Sequence, residues 1–322
     1  YHSRVKRIFM FVLIIIALVF GLVEGISEWL PISSTGHMIL LDGLMKLGNY
    51  DISKEFNFSE GFMSMFLVVI QLGAIIAVVV YFFPKLWPFG KKKINEEEQA
   101  RIDNNEISLE ELNKKKHKDI WLTWAKAIVG CLPAAIIGLI MELLDIELEN
   151  WITVSITLLI YGIAFILVET FIKKKDDPFK IYSVNELSFK YALIIGCFQI
   201  LALIPGTSRS GVTILGALLL GLSRESAAEY SFYLSIPVMF GASLLKMVKY
   251  FVKFGNPSLN EWVFLLVGMV AAFIVSIFVV KWLMGFVKKH DFKVFGIYRI
   301  ALSIVVVAIF VTYCLIKGQL IL

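Results

Sequence analysis

Two glutamates four residues apart, Glu24 and Glu28, stand in an otherwise apolar stretch of this 322-residue chain. On a helix that spacing puts both carboxylates on one face. Like charges so placed repel unless a cation or a shared proton lies between them. The pair therefore reads as a ligand set for a hard divalent cation, Mg2+ or Ca2+. Just downstream come Ser33, Ser34, Thr35, Gly36 and His37. His37 is the one histidine in an apolar setting with hydroxyl neighbours. Ser34 and His37 are three residues apart, so a helical turn would bring them together as nucleophile and activating base. The alternative makes His37 the nucleophile, or the base for an attacking water.

A second cluster holds Gly206, Thr207, Ser208, Arg209, Ser210 and Gly211, ahead of a short apolar helix. Glycines let the backbone approach a ligand closely. The free N–H groups of a helix start favour an anion, and a guanidinium pairs bidentately with phosphate oxygens. The helix after residues 33–36 offers the same, so two facing helix starts could cradle a diphosphate. Hydrolysis of such a group needs charge neutralisation, a nucleophile and a proton carrier. Arg209 with the carboxylate-held cation supplies the first, and Ser34 and His37 supply the others.

These residues sit in a chain that water cannot dissolve. Hydrophobic residues make up 58% and charged residues 18%, against about 45–50% and about 25% in soluble domains, and the mean hydropathy is +0.80. That composition fits an all-α polytopic membrane protein, one integral membrane domain over residues 1–322. It excludes a secreted disulfide scaffold, a nucleic-acid-binding module and a disordered chain. Cys131, Cys197 and Cys314 lie in apolar runs without paired spacing and read as small hydrophobes. Intramembrane charges are costly and point to function, which singles out Glu24, Glu28 and Arg209.

Six apolar runs are long enough to span a bilayer: 62–83, 122–144, 151–172, 228–252, 262–284 and 294–317. Two more regions, 8–47 and 190–222, are interrupted at residues 31–37 and 205–211. Their second arms are too short to cross, so each region reads as a re-entrant hairpin. Loop 85–118 carries nine Lys or Arg, and 173–180 and 281–293 are also basic, whereas 42–61 and 145–150 are poor in basic residues. The first set is expected in the cytoplasm. Arg4, Lys6 and Arg7 conflict with that if 8–47 is a hairpin and agree if residues 8–30 cross. Loop 85–118 reads as a solvated excursion, a short charged helical hairpin. Lys126, Glu169, Arg224, Glu225 and Glu229 read as interfacial or snorkelling, and Arg299, lying deeper, as one half of an ion pair. Gln71 and Gln199 are expected to bond the loops or to join helices.

The interrupted regions resemble each other. The string 30–36 (LPISSTG) parallels 204–211 (IPGTSRSG), and residues 66–70 parallel 232–236. Each half is a hairpin followed by three spans. Three is odd, so the halves enter the membrane from opposite sides: inverted repeats over 8–172 and 190–317, with a site at the midplane.

Two strings, residues 24–37 (EGISEWLPISSTGH) and 205–213 (PGTSRSGVT), closely resemble the signature motifs of the undecaprenyl-diphosphate phosphatase family, the bacitracin-resistance proteins. The likeness continues through 69–75 (VIQLGAI), 126–134 (KAIVGCLPA), 196–203 (GCFQILAL) and 227–232 (AAEYSF). The resemblance implies two inverted repeats, each a re-entrant hairpin plus three transmembrane helices. It implies cation-dependent hydrolysis of undecaprenyl diphosphate to the monophosphate on the outer, periplasmic side of the bacterial plasma membrane. Recycling of the lipid carrier for peptidoglycan synthesis follows. It carries Glu24, Glu28, Ser34, His37, Ser208 and Arg209 into the site; loop 85–118 lies outside the motifs. The expected partners are a polyprenyl diphosphate and the membrane lipids, with no nucleic acid and with a homodimer left open. A polyprenyl-phosphate transporter or flippase is the competing class; it would need the arginine and the helix starts but no activated hydroxyl.

Overall fold

A computed structural model describes residues 2–90, 94–144, 146, 148 and 150–317, with the side chains of 2–5 and 317 outside the description. In chain order the helices are α1 (His2–Ser27), α2 (Ser34–Leu47), α3 (Ile52–Glu55), α4 (Phe62–Val69), α5 (Gln71–Tyr81), α6 (Phe83–Leu86), α7 (Glu96–Asp103), α8 (Leu109–Leu143), α9 (Trp151–Lys173), α10 (Phe189–Ile200), α11 (Arg209–Leu219), α12 (Arg224–Phe254), α13 (Leu259–Val287) and α14 (Lys293–Lys317). Besides helices, the described residues hold only short 3-10 turns and one isolated bridge, Ile181 to Leu222. The chain is an all-α, multi-pass membrane protein. Seven segments are long and apolar enough to cross: the six expected ones and Lys6–Ser27.

Close backbone approach organises the bundle. A Cβ on Gly21 would come 2.4 Å from the carbonyl oxygen of Gly268, one on Gly196 would come 2.2 Å from that of Gly130, and one on Gly162 would come 2.8 Å from that of Gly296. These crossings join α1 to α13, α10 to α8 and α9 to α14, the small-residue contacts that membrane helices use in place of a hydrophobic drive. Gly21 meets Gly268 and Ala271 while Gly25 meets Ala272 and Val275, so α1 runs in the same direction as α13. Its start therefore lies at the end where α13 begins, and Phe9 packs on Phe56 there. The exposed Lys6 and Arg7 stand at that end, opposite the basic loops. Thus α1, although long enough to cross, turns back through α2. The α10–α11 hairpin enters from the other end, where Lys180 N–H donates to Gly221 O.

The loops sort as the charge pattern requires. Ser59 bonds Tyr250 and Glu261, and Lys246 and Lys249 bond Glu142, at the end poor in basic residues. At the basic end Lys85 pairs with Glu229, Lys173 with Asp291 and Lys288 with Glu225. Residues 145, 147 and 149 of the α8–α9 connection lie outside the described residues. Loop 85–118 is a charged helical hairpin: α7 and the first turns of α8, joined by Lys116–Glu98 at 2.6 Å. Ser108 and Glu111 form a capping box that starts α8 well before the apolar run at 122.

Three expected snorkelling residues do not snorkel. Glu169 is fully buried, takes Nε and Nη2 of Arg224 at 3.0 and 2.6 Å, and accepts the Phe292 N–H at 3.0 Å. Lys126 is buried and donates to the Asn185 carbonyl at 2.9 Å. Glu229 takes Lys85 and the Tyr233 hydroxyl. Glu169 and Lys126 find their partners inside the bundle, and Glu229 finds a hydroxyl inside it and the exposed Lys85 at its edge, which removes the reason to reach for water.

Candidate active site

The two hairpin tips meet, and they are built alike. Ser33 has φ 74° and ψ 101° and caps α2 by accepting the Gly36 N–H. Ser208 has φ 71° and ψ 117° and caps α11 by accepting the Gly211 N–H at 3.2 Å. A positive φ on a non-glycine residue costs on the order of 1–3 kcal/mol and persists only where its surroundings enforce it. Gly206, at φ 83°, lies so close to α9 that a Cβ would meet Thr157 Oγ1 at 2.2 Å. Thr157 Oγ1 also donates to the Pro205 carbonyl.

Glu28 is the meeting point. Its Oε2 accepts the Ser34 hydroxyl at 2.7 Å, and its Oε1 accepts Arg209 Nη2 at 3.0 Å. Arg209 Nη1 donates to the Ser231 carbonyl, and its guanidinium lies 5.6 Å from the ring centre of Trp29, which is fully buried. Side-chain exposure is only 10% for Arg209 and 8% for Glu28, so the pair is held in a medium where charge interactions are strong. Ser210 Oγ ties the second tip to the first through the carbonyls of Glu28 and Leu30.

His37 and Ser34 belong to the same turn but do not bond each other here. His37 Nδ1 lies 2.7 Å from the Ser33 carbonyl, so it carries the proton. In the neutral ring Nε2 is then the acceptor, and it meets the Tyr298 hydroxyl at 2.7 Å. The sequence reading paired Ser34 with His37; in this structure Ser34 is on Glu28 instead. The next residue, Arg299, is fully buried and forms no ion pair among the described residues, which corrects the expectation for it. Its Nη1 donates to Pro31 O at 3.2 Å, and its Nη2 donates to Gly206 O and Thr207 O at 2.9 Å each. One guanidinium thus brackets both tips. Tyr298 gives no signal in the sequence, and Arg299 gives one only as a charge deep in an apolar run.

A cavity of about 500 Å3 reaches from Glu24, Ser34, Thr35 and Gln71 to Lys46 and Lys246 at the end poor in basic residues. Phe20, Met38, Met63 and Leu67 give it apolar walls. Ser33, Gly36, Gly206, Thr207 and Ser210 are buried in tip structure rather than lining it. Gln199 is buried with neither amide atom bonded, so it makes neither of its expected contacts.

The donor set fits a hard cation. Glu24 is buried one turn before Glu28, its Oε1 has no hydrogen-bond partner, and Glu28 and the Ser34 hydroxyl supply further oxygens. No group of three or more His, Cys, Asp or Glu occurs among the described residues, so the protein ligands here are two carboxylates.

The comparisons agree with the motifs. The profile of the bacitracin resistance protein BacA matches residues 17–305. An undecaprenyl-diphosphatase of Enterococcus faecalis is 49% identical over 292 residues, 90% of this chain and 95% of its own length. One of Acetivibrio thermocellus is 50% identical over 295 residues, 91% of this chain and 96% of its own. Undecaprenyl-diphosphatase 1 of Oenococcus oeni is 44% identical over 301 residues, 93% and 98% respectively.

Proposed function

Because this chain belongs to the bacitracin resistance protein BacA family, we propose that it hydrolyses undecaprenyl diphosphate to undecaprenyl phosphate and inorganic phosphate. The reaction recycles the lipid carrier for cell-wall synthesis and confers bacitracin resistance. The observation that carries the chemistry is the convergence of the Ser34 hydroxyl and the Arg209 guanidinium on Glu28.

Ser34 is a donor to Glu28, so its proton already has an acceptor while its lone pairs remain for attack. Arg209 binds the oxygens of the diphosphate, and the free N–H groups that open α2 and α11 add to the cradle. Attack of Ser34 Oγ on the terminal phosphorus passes the serine proton to Glu28 and breaks the bond from that phosphorus to the bridging oxygen. The lipid monophosphate leaves. Water then cleaves the seryl phosphate and gives inorganic phosphate; Glu28 returns its proton to the leaving Ser34 oxygen, and His37 Nε2 accepts the water's proton once that water has replaced the Tyr298 hydroxyl on it. Until then Tyr298 orients the imidazole by donating to Nε2. Glu24 and Glu28 would hold Mg2+ or Ca2+, which neutralises diphosphate charge when bound. The prenyl chain follows the apolar wall of the cavity towards the bilayer.

The two halves are proposed to be inverted repeats. The matched caps at Ser33 and Ser208 and the equivalent pairings of α1 with α13 and α10 with α8 support this. The basic end is assigned to the cytoplasm of a bacterium and the cavity mouth to the outside of its plasma membrane. A polyprenyl-phosphate carrier would need no hydroxyl poised on a base, and the Ser34–Glu28 bond favours hydrolysis over transport.

The test is phosphate release from the purified protein with a polyprenyl diphosphate, with and without chelator. Ser34→Ala and His37→Ala should each lower turnover by about 10²-fold or more while lipid-diphosphate binding persists. Normal turnover in Ser34→Ala with a dead His37→Ala would make Ser34 only a phosphate ligand. Normal turnover in both variants would overturn this mechanism and favour the carrier.

A further inference from the structure

A separate cleft of about 300 Å3 opens at the basic end, between the ends of α9 and α13 and the starts of α12 and α14. The proposed reaction uses none of it. Lys173, Arg224, Lys289 and His290 line it, against one carboxylate, Asp291. Lys173 is spent on Asp291 at 2.7 Å. Arg224 gives Nε and Nη2 to the buried Glu169 and lies 5.3 Å from the ring centre of Phe179. Two donors are left without a partner among the described residues, Arg224 Nη1 and Lys289 Nζ, while His290 Nδ1 bonds the Phe286 carbonyl and adds its ring to the cleft wall. Their chemistry asks for a phosphate-type anion.

The surroundings decide what carries that anion. On α13 the rings of Trp282, Phe286 and His290 form a ladder, with centroids 5.0 and 4.5 Å apart and interplanar angles of 25° and 13°. The ladder runs from the cleft towards the bundle middle. One or two turns in that direction stand Phe171, Trp282 and Ile297, exposed by 69%, 52% and 61%. Large apolar side chains so exposed on spanning helices face hydrocarbon, and a tryptophan beside them marks the boundary with the headgroups. The cleft is therefore at headgroup level, cationic and floored by an aromatic step into the lipid. Inorganic phosphate would satisfy the two donors and leave the ladder unused.

We propose that this cleft binds an anionic phospholipid of the adjoining leaflet, its phosphate on Arg224 and Lys289 and the start of its chains along the stacked rings of His290, Phe286 and Trp282. Basic pockets between helix ends of this kind recognise lipid headgroups by charge. Arg224 is the fixed element, because Glu169 and Phe179 hold it before the lipid arrives.

The probe is phosphatidylglycerol, with phosphatidylcholine as control, added to the detergent-purified protein and counted per chain by native mass spectrometry. Wild type should retain phosphatidylglycerol over phosphatidylcholine. K289Q/H290Q should lose about fivefold or more of that occupancy, with thermal midpoint and phosphate release unchanged. Lys289→Arg should keep it. Arg224 is left in place because its removal would strand the buried Glu169 charge. Equal phosphatidylglycerol occupancy in wild type and K289Q/H290Q would overturn the proposal. Displacement of the lipid by millimolar inorganic phosphate would also overturn it, in favour of a soluble anion.

Discussion

Replacing Arg299 tests whether chemistry depends on holding the two tips in register. Arg299 is fully buried; its polar partners among the described residues are three carbonyls, and Tyr161 lies under its guanidinium at 5.7 Å. Two opposed terms set the effect on stability. Hydrogen bonds from a charged donor contribute about 1.5–3 kcal/mol each, so losing three costs roughly 5–9 kcal/mol. A buried ion without a counter-charge carries a desolvation penalty of several kcal/mol, which an apolar side chain of similar length does not. In Arg299→Met the terms largely cancel, and the fold should lose no more than about 3 kcal/mol. Register has no such compensation. Pro31 lies three residues before Ser34 and Thr207 two before Arg209, so freeing the tips moves both groups relative to Glu28. Misplacement by about 1 Å costs on the order of 10² in rate. Phosphate release by Arg299→Met should therefore fall about 100-fold while the thermal midpoint in detergent drops by roughly 10 °C or less. Arg299→Lys should recover stability but little rate, because Nη1 and Nη2 serve different tips and one ammonium cannot reach both. Turnover in Arg299→Met within about threefold of wild type would refute the reasoning.

Arg209→Lys keeps the charge but not the fork that now spans Glu28 and the Ser231 carbonyl; kcat/KM should fall by about 10²–10³, and full activity would show that charge alone suffices. Glu24→Gln and Glu28→Gln should each remove most phosphate release without unfolding the protein and blunt its response to added Mg2+; unchanged activity with unchanged chelator sensitivity would rule out both carboxylates as cation ligands. Gly206→Ala puts a Cβ 2.2 Å from Thr157 Oγ1 at φ 83° and should cost about 1–3 kcal/mol in unfolding measurements. Wild-type stability would mean that the tip backbone relaxes freely.

Much of the fold was legible because hydrocarbon imposes a length and a composition on anything that crosses it. The six long runs and the two interruptions at proline and glycine could be read directly. Whether residues 8–30 cross could not: α1 has the length of a span, and what fixes its direction is Gly21 and Gly25 against α13, a contact far away in sequence. The early start of α8 was readable in principle, since Ser108 and Glu111 have the spacing of a capping box. The break between α4 and α5 at Ile70 carries no glycine or proline and gave no local sign. Residues near span ends were read by the default that charges reach for water. Glu169 with Arg224 shows where that default fails: a bidentate partner on another helix makes the interior the better place.

The chemistry-bearing residues could be listed from sequence, but not their pairing, because pairing depends on how the two tips face. Both tips repeat one turn, a serine at φ near 70° whose hydroxyl caps the glycine three residues on. The residue after each cap opens the following helix and projects from an equivalent place. In the first tip it is Ser34, and in the second it is Arg209. A repeated turn carrying the same residue twice would present two hydroxyls or two like charges across the junction. Divergence at this one position instead sets a nucleophile opposite a cation, with Glu28 between them bonded to both. The strain in the two serines keeps that opposition sharp, because a tip released to an ordinary φ would swing its first helical residue away from Glu28. Arg299, Thr157 and Ser210 hold the strained backbone by bonding tip carbonyls, so residues without direct contact to substrate set the distance over which the reaction must run.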